Sequence, residues 1–233
     1  MPLVTDRTYT FQRTTERNLY HGELAVQEAL HEIGMAGYIK EVLDLEDDAV
    51  HPLMAMWESF NGSSLVRDYA TLKYSWAVPN QDAIDIIAAQ PVLEVGAGRG
   101  YWANRVKQAG GDIIATDMFP PEDHTFCEVL PLDFSTAIRE YGKDRALLMV
   151  WPPLNELTED LEALTLYREI GGRKLIFVGE QGQGEEGCTG SDAFREYLSS
   201  FPLNDEDITD IPSWTHDGKK LNDCLRVVDV TKK

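Results

Sequence analysis

The stretch PVLEVGAGRGYWANRVKQAGGDIIATD, residues 91–117, decides the fold. It joins an apolar run, three glycines at alternate positions, an amphipathic segment, a second apolar run and a carboxylate. This order predicts a strand at 91–95, a tight loop, a helix at 101–109 and a strand at 112–116. Glycines in such a loop adopt conformations that side chains resist and let a ligand approach the backbone. We therefore expect a ligand site where the loop meets the helix N-terminus.

The composition is that of an acidic protein with enough apolar residues for a packed core. The chain has 233 residues, of which 43% are hydrophobic, and its 40 acidic and 21 basic residues give a net charge of -19. A surface of that charge repels a phosphate backbone unless a basic patch offsets it. The sequence contains only short basic pairs, such as Lys219-Lys220. This charge argues against a nucleic acid partner.

The cysteines and the N-terminus indicate a reducing compartment. Cys127, Cys188 and Cys224 are far apart and odd in number, so they show neither a metal-ligand spacing nor a disulfide framework. The first 18 residues lack the apolar core of a signal peptide, and no apolar run approaches membrane-spanning length. We expect a cytoplasmic protein without a metal site and without a membrane anchor.

Residues 1–75 differ in pattern from the rest of the chain. Apolar residues at helical spacing predict a helix at 23–45, with a break near Gly34 and Gly37, and a short helix at 51–60. The residues NGSS at 61–64 predict a turn. We interpret residues 1–75 as an N-terminal helical region, and residues 76–233 as a second domain.

Residues 76–233 alternate between strands and helices. A helix opens at 79–82, strands are predicted at 91–95, 112–116, 127–132, 145–151 and 174–179, and further helices at 101–109, 135–141, 156–169 and 190–200. Apolar strands that alternate with helices predict a parallel sheet covered on both faces. The runs 207–214 and 221–230, joined by HDGKK, predict a C-terminal hairpin.

The glycine spacing separates two classes of cofactor loop. The dinucleotide fingerprint G-x-G-x-x-G would place its third glycine at position 101, which is Tyr101. The actual arrangement, with Glu94 two residues before the first glycine, reads E-x-G-x-G-x-G and resembles motif I of class I S-adenosylmethionine-dependent methyltransferases. The resemblance implies that Glu94 interacts with the amino-acid end of the cofactor, often through water. It also implies that Gly96, Gly98 and Gly100 pass beneath the ribose and methionine portions.

Three residues beyond the loop extend the predicted cofactor site. A carboxylate at Asp117, at the end of the second strand, can accept hydrogen bonds from both ribose hydroxyls. Met118 is predicted to pack on the adenine face. Asp133, after the third strand, matches the position where such enzymes often recognise the adenine amino group. For both acids the alternative is a cap or turn residue. The predicted cofactor is S-adenosylmethionine.

The resemblance covers about residues 74–230 and includes the order of elements, because the class I methyltransferase sheet ends in a hairpin whose last strand runs antiparallel. It implies an α/β, Rossmann-like fold with a mostly parallel seven-stranded sheet, in which residues 76–233 bind the cofactor. The segments YSWAVP (74–79), WPPL (151–154) and GCTG (187–190) resemble those of a sparsely characterised group of bacterial and fungal methyltransferase-like proteins. That group implies a fold and a cofactor but no reaction.

The segment WPPL follows the fourth strand, where amino-directed methyltransferases carry D/N-P-P-Y/F. Trp151 and Leu154 replace the polar and the aromatic residue of that motif, which argues against an adenine or cytosine amino target. Pro152 and Pro153 fix the backbone at the carboxyl edge of the sheet. Trp151 either faces the sulfonium of the cofactor, because a cation favours aromatic rings, or caps the sheet as a core residue.

The substrate side is predicted from the position of side chains in the fold. Ligands of open α/β sheets bind outside the carboxyl ends of the strands, here between strands 91–95 and 145–151. Glu180 borders that crevice, and the segment around Tyr74 and Trp76 often closes over the cofactor in this fold. We therefore name Glu180, Trp151 and Tyr74 as catalytic candidates and Trp76 as a cofactor contact. His216 is a further candidate for a general base.

Three functions follow from these features. The leading hypothesis is a methyltransferase that acts on N or O of a small-molecule acceptor. The alternatives are an amino-directed methyltransferase of nucleic acid or protein, and a protein that binds S-adenosylmethionine without chemistry; a nicotinamide dehydrogenase ranks last because of Tyr101. The N-terminal helices either form a lid over the crevice or make a homodimer contact, and the sequence leaves both open.

Overall fold

The computed structural model describes residues 70–71, 73–153, 157–180, 189–202, 204–213, 215–216, 219–220 and 222–231. The elements predicted at 23–45, 51–60 and 61–64 lie outside these residues. The chain separates into two compact units, Met1–Tyr74 with Trp214–Lys219, and Ser75–Ser213 with Lys220–Lys233. The second unit contains the sheet and the helices that follow. No described helix is long and apolar enough to cross a lipid bilayer.

The strands form one mixed sheet and one small hairpin. They are β1 (Val92–Val95), β2 (Ile113–Asp117), β3 (Leu130–Pro131), β4 (Ala146–Val150), β5 (Lys174–Glu180), β6 (Ile208–Asp210), β7 (Thr215–His216), β8 (Lys219–Lys220) and β9 (Asp223–Asp229). The seven-stranded sheet has the order β3-β2-β1-β4-β5-β9-β6, and β7 pairs with β8. Strands β1 to β5 pair in parallel, whereas β9 runs antiparallel to both β5 and β6. The predicted α/β, Rossmann-like fold, mostly parallel with a C-terminal antiparallel hairpin, is confirmed.

In the described part of the chain, one α-helix precedes β1 and four others lie between the strands. They are α1 (Gln81–Ala88), α2 (Tyr101–Gln108), α3 (Phe134–Tyr141), α4 (Glu159–Glu169) and α5 (Asp192–Ser199). Side chains of Asn80, Asp133 and Ser191 cap α1, α3 and α5 by accepting hydrogen bonds from backbone N–H groups of the first turn. Each cap starts its helix at the residue that follows, so the predicted helix at 190–200 begins at Asp192.

The core lies between the sheet and the helices. Leu93, Val95, Leu147 and Met149 alternate along β1 and β4, so they share one face of the sheet. They pack in one buried cluster with apolar residues of α3, α4 and α5. Burial of this face positions the carboxyl ends of β1 and β4 side by side.

Strand β3 is shorter than the sequence predicts. Of the predicted strand 127–132, only Leu130 and Pro131 pair with β2. The preceding segment is held by the glycine loop instead, since the Phe126 N–H donates to the Arg99 carbonyl over 2.8 Å and the Cys127 thiol lies 3.4 Å from the Gly100 carbonyl. These contacts hold residues 126 and 127 against the glycine loop, and the pairing with β2 begins only at Leu130.

Tyr167 of α4 fixes the amino edge of the sheet. Its buried hydroxyl lies 2.8 Å from the Arg145 carbonyl and 3.0 Å from the Lys174 carbonyl, and it donates its one proton to one of them. The same oxygen accepts from the N–H groups of Arg173 and Lys174, each at 3.2 Å. One side chain therefore connects α4 with the starts of β4 and β5.

Candidate functional site

The glycine loop between β1 and α2 adopts the conformation that its sequence requires. Gly96, Gly98 and Gly100 have φ values of 69°, 53° and 71°, in the left-handed region that side chains disfavour. A Cβ atom at Gly96 or Gly98 would meet no other atom within 4 Å, whereas one at Gly100 would lie 2.7 Å from Cγ2 of Val129. The first two glycines therefore border open space, and the third is required by packing.

Asp117 joins the end of β2 to the loop. Its Oδ2 accepts a hydrogen bond of 2.8 Å from the Gly98 N–H, and its Oδ1 accepts one of 2.9 Å from the Phe119 N–H. A carboxylate has about four lone-pair sites, so both oxygens keep the capacity to accept from a ligand. The arrangement places an anionic acceptor beside the open space at Gly98.

Glu94 places a carboxyl group inside the protein beneath the loop. Only 1% of the residue is exposed, and no described residue donates to its Oε2. Burial first, and then the nearby Asp117, raise the pKa of Glu94 to about 8, although the Ala103 N–H and Lys107 act in the opposite direction. This buried polar atom without a donor fits a site that is completed by a ligand or by water.

The other predicted cofactor residues have different surroundings. Asp133 caps α3, where its Oδ1 accepts from the N–H groups of Ser135 and Thr136, and the Thr136 N–H holds the pKa of Asp133 below its usual value. Met118 and Trp76 are exposed at 45% and 43% of their surfaces. Asp133 therefore has the capping role that was its alternative reading, while its part in adenine recognition stays a prediction, as do those of Met118 and Trp76.

Trp151 directly follows β4 and has a strained backbone conformation. Its φ of 49° is the one positive value among the non-glycine residues that the structure describes. The Trp151 N–H donates to the Val178 carbonyl over 2.8 Å, and the Pro152 carbonyl accepts from the Gly190 N–H over 2.7 Å. Pro153 forms an isolated bridge with Thr189. The residues after β4 are thus held against those that follow β5.

A cavity of about 160 Å³ opens beside Trp151. Its walls are the ends of β1 and β4, the two prolines, the first residue of α3 and the start of α4. Gly96 contributes to this wall, so the cavity adjoins the glycine loop. Glu159 and Asp160 add two carboxyl groups to an otherwise apolar lining.

The remaining catalytic candidates are placed as follows. Glu180 ends β5, where its N–H donates to Oγ1 of Thr189 over 3.0 Å and its carbonyl accepts from Arg226 over 3.1 Å. It is not among the described residues that line the cavity. Tyr74 is buried and belongs to the other unit, and the side chain of His216 lies outside the described part. The structure therefore places Glu94, the loop glycines and Asp117 close together. Trp151 and Gly96 line the same cavity.

The sequence did not reveal Glu159 and Asp160 as part of a site. Both stand in the first turn of α4 with Glu162, in a pattern that is typical of an ordinary helix start. Asp160 accepts from the N–H and the hydroxyl of Ser191 at 2.6 and 2.8 Å, which connects α4 to the start of α5. Only the packing of α4 on the sheet gives Glu159 its position, and no local pattern carries that information.

No protein-family model and no curated protein matches the chain. Among solved structures, a SAM-dependent methyltransferase from Archaeoglobus fulgidus is similar, with 15% identity and a TM-score of 0.45, over 75% of this chain and 98% of that one. The 1,6-didemethyltoxoflavin-N1-methyltransferase of Burkholderia thailandensis, with bound S-adenosylhomocysteine, has 15% identity and a TM-score of 0.43, over 64% and 76%. The magnesium protoporphyrin IX methyltransferase of Synechocystis, with bound SAM, has 15% identity and a TM-score of 0.39, over 64% and 79%. All three neighbours are methyltransferases.

Proposed function

We propose that the chain is an S-adenosylmethionine-dependent methyltransferase that acts on N or O of a small-molecule acceptor. The observation that carries the proposal is the junction of the glycine loop with Asp117. Gly96 and Gly98 leave open space above a left-handed backbone, and the Asp117 carboxylate borders that space through its bond to the Gly98 N–H. This is the form of site that an adenosyl group with a free ribose diol requires.

The residues present fit that cofactor. Asp117 would accept from the ribose hydroxyls, and the buried Glu94 carboxyl would receive, directly or through water, the ammonium of the amino-acid end. Met118 and Asp133 would border the adenine, and Trp76 the outer side of the site. When bound, the cofactor supplies a methyl group that its sulfonium already activates. The protein would then act mainly by positioning the acceptor and excluding water.

The charge and the residues after β4 support a small-molecule acceptor. The net charge of -19 disfavours approach of a nucleic acid. Trp151 stands where amino-directed enzymes carry the polar residue that binds the target nitrogen, and its indole has no acceptor for an amino group. Its role would be to shape the wall between the loop and the cavity. Glu180, Tyr74 and His216 remain the candidates for a general base.

Calorimetry tests this function directly. We expect S-adenosylmethionine and S-adenosylhomocysteine to bind and NAD not to bind. Asp117→Ala should weaken cofactor binding by roughly 1–3 kcal/mol, the scale of lost hydrogen bonds to a charged group. Asp112→Ala is the matched control, because Asp112 is exposed and pairs with Arg145 at the opposite edge of the sheet. Thermal melting of both variants checks that they fold.

Two results would contradict the proposal. Absence of binding by both sulfur compounds would exclude the cofactor. An unchanged affinity in Asp117→Ala would remove Asp117 from the site.

A further inference from the structure

The cavity beside Trp151 has a mainly apolar wall. Met149, Leu157 and Ala163 contribute aliphatic surface, and Phe134 and Trp151 contribute aromatic rings. Such a wall favours an apolar molecule and rejects one that is polar on all sides, because polar groups lose their hydration there without new partners. The occupant of this cavity is therefore mostly hydrocarbon.

The size of the cavity limits the occupant to about one ring. Its volume is about 160 Å³. An apolar protein cavity of about 150 Å³ is known to hold one benzene molecule. A nucleobase joined to its sugar, or a peptide side chain with its backbone, exceeds that volume and would have to extend outside.

One carboxyl group in the wall is available to a ligand. Asp160 is committed to Ser191, from which it accepts two hydrogen bonds. Glu159 is half-buried, it lines the cavity, and no described residue donates to its carboxylate. Burial, with Glu162 and Asp160 nearby, raises the pKa of Glu159, so a cationic partner would relieve an unfavourable negative charge.

The described wall contains no lysine or arginine that could neutralise the two carboxyl groups. An anionic ligand would therefore meet only repulsion in this cavity. A neutral ring would gain the apolar contacts but leave Glu159 without a donor. A ring that bears an amine satisfies both features of the wall.

We propose that this cavity binds the methyl acceptor, and that the acceptor is a single-ring amine whose nitrogen donates to Glu159. The ammonium form of the amine would pass one proton to the Glu159 carboxylate, and the neutral nitrogen would then form the new N–C bond as the methyl–sulfur bond of the cofactor breaks. This inference rests on the proposed function, because Gly96 is shared by the glycine loop and the cavity wall. Glu159 is the specificity-determining residue: it selects the amine and orients its nitrogen. The aromatic and aliphatic wall selects the ring.

Ligand-observed NMR titrations test the proposal with three single-ring probes of similar size: benzylamine, benzyl alcohol and benzoate. The protein is first saturated with S-adenosylhomocysteine, whose binding calorimetry verifies separately. We expect benzylamine to bind at least about tenfold more tightly than benzyl alcohol, and benzoate not to bind. Glu159→Gln should lower the affinity for benzylamine to that for benzyl alcohol, which should itself not change.

Two further variants control the experiment. Glu169→Gln changes an exposed carboxylate at the other end of α4 and should leave all three affinities unchanged. Ala163→Leu fills the cavity and should abolish binding of both benzylamine and benzyl alcohol while S-adenosylhomocysteine still binds. Thermal melting establishes that the filled variant is folded, and Glu159→Gln tests the proposal independently if it is not.

The outcomes separate this inference from the proposed function. Equal affinities for the three probes, or no effect of Glu159→Gln, would overturn the role of Glu159. A second titration uses the free protein, and binding of benzylamine there that S-adenosylhomocysteine abolishes would assign the cavity to the cofactor and overturn the acceptor site. Binding of S-adenosylhomocysteine without any binding of benzylamine would refute the inference and leave the function standing. Glu159-dependent binding of benzylamine without binding of S-adenosylhomocysteine would refute both the function and the acceptor assignment.

Discussion

Glu94 shows how the fold changes the chemistry of a single residue. The side chain is 1% exposed, and its neighbour Asp117 carries a negative charge. The Ala103 N–H and Lys107 only partly compensate, so the pKa of Glu94 rises to about 8. The carboxyl group is therefore mostly protonated at neutral pH in the free protein. A cationic ligand at this position would favour its ionised form.

The raised pKa predicts a specific pH dependence of stability. In the unfolded chain Glu94 ionises near pH 4.5, and in the fold near pH 8. Its contribution is thus fully present below pH 4.5 and is lost as the pH rises to about 8. Over this range the free energy of unfolding should fall with a slope of at most about 1.4 kcal/mol per pH unit. Urea denaturation at a series of pH values measures it.

Glu94→Gln isolates this effect from the other titrating groups. The variant carries a neutral amide at the same position, so its own cost does not depend on pH. Between pH 4.5 and 8, the free energy of unfolding of the wild type should fall steadily relative to that of the variant. A difference that stays constant across this range would show that Glu94 is ionised as freely as in water.

Residues of the site differ in how far the sequence could predict them. Asp117 was predictable because it ends a strand beside a glycine loop, and the structure places its carboxylate on that loop. Asp133 was given two readings, and the structure shows it as a helix cap. The left-handed φ of Trp151 and the exposure of Glu159 to a cavity arise from tertiary packing. No local pattern contains that information.

At the scale of the element, the glycine loop predicts two different effects of adding a methyl group. Gly98→Ala strains a left-handed residue in open space, at a cost of about 1–2 kcal/mol. Gly100→Ala adds a contact of 2.7 Å with Val129 to the same strain, so it should destabilise the fold by about 1–3 kcal/mol more. Urea denaturation of both variants compares the losses, and equal losses would contradict this account of the packing.

Gly98→Ala also tests whether the open space at the loop binds the ligand. The new methyl group of Gly98→Ala would enter the space proposed for the cofactor, so S-adenosylhomocysteine should bind at least about tenfold more weakly. Gly110→Ala is the matched control, since Gly110 has a φ of 84° and open space but follows the far end of α2. It should carry a similar strain and keep the affinity, as calorimetry would show.

Most elements of the second unit could be predicted, because each has its own local signal. Helix starts followed the capping residues, as at Ser191, and strands followed the apolar runs. Strand β3 was predicted too long, because Cys127 and Val129 pack on the glycine loop and do not pair with β2. An apolar run indicates burial, but it does not indicate which neighbour provides the burial.

At the scale of the whole molecule, charge governs which large partners can approach. The net charge of -19 predicts no measurable binding to a labelled 20-nucleotide DNA or RNA at about 150 mM salt, where the screening length is about 8 Å. Fluorescence anisotropy measures it, and lowering the salt should not produce binding. Salt-sensitive binding would reveal a basic surface and favour an amino-directed nucleic acid methyltransferase.

The phenol of Tyr167 has a consequence for the molecule as a whole. It joins α4 to β4 and β5 at the edge of the sheet that lies farthest from the glycine loop and the cavity. Loss of that hydroxyl would remove its contacts with the peptide groups of Arg145, Arg173 and Lys174 at once, and this would weaken the attachment of α4 to β4 and β5. These contacts hold the amino edge of the sheet together. Substitutions at the carboxyl edge, where the glycine loop and the cavity lie, can therefore change the ligand specificity without removing them.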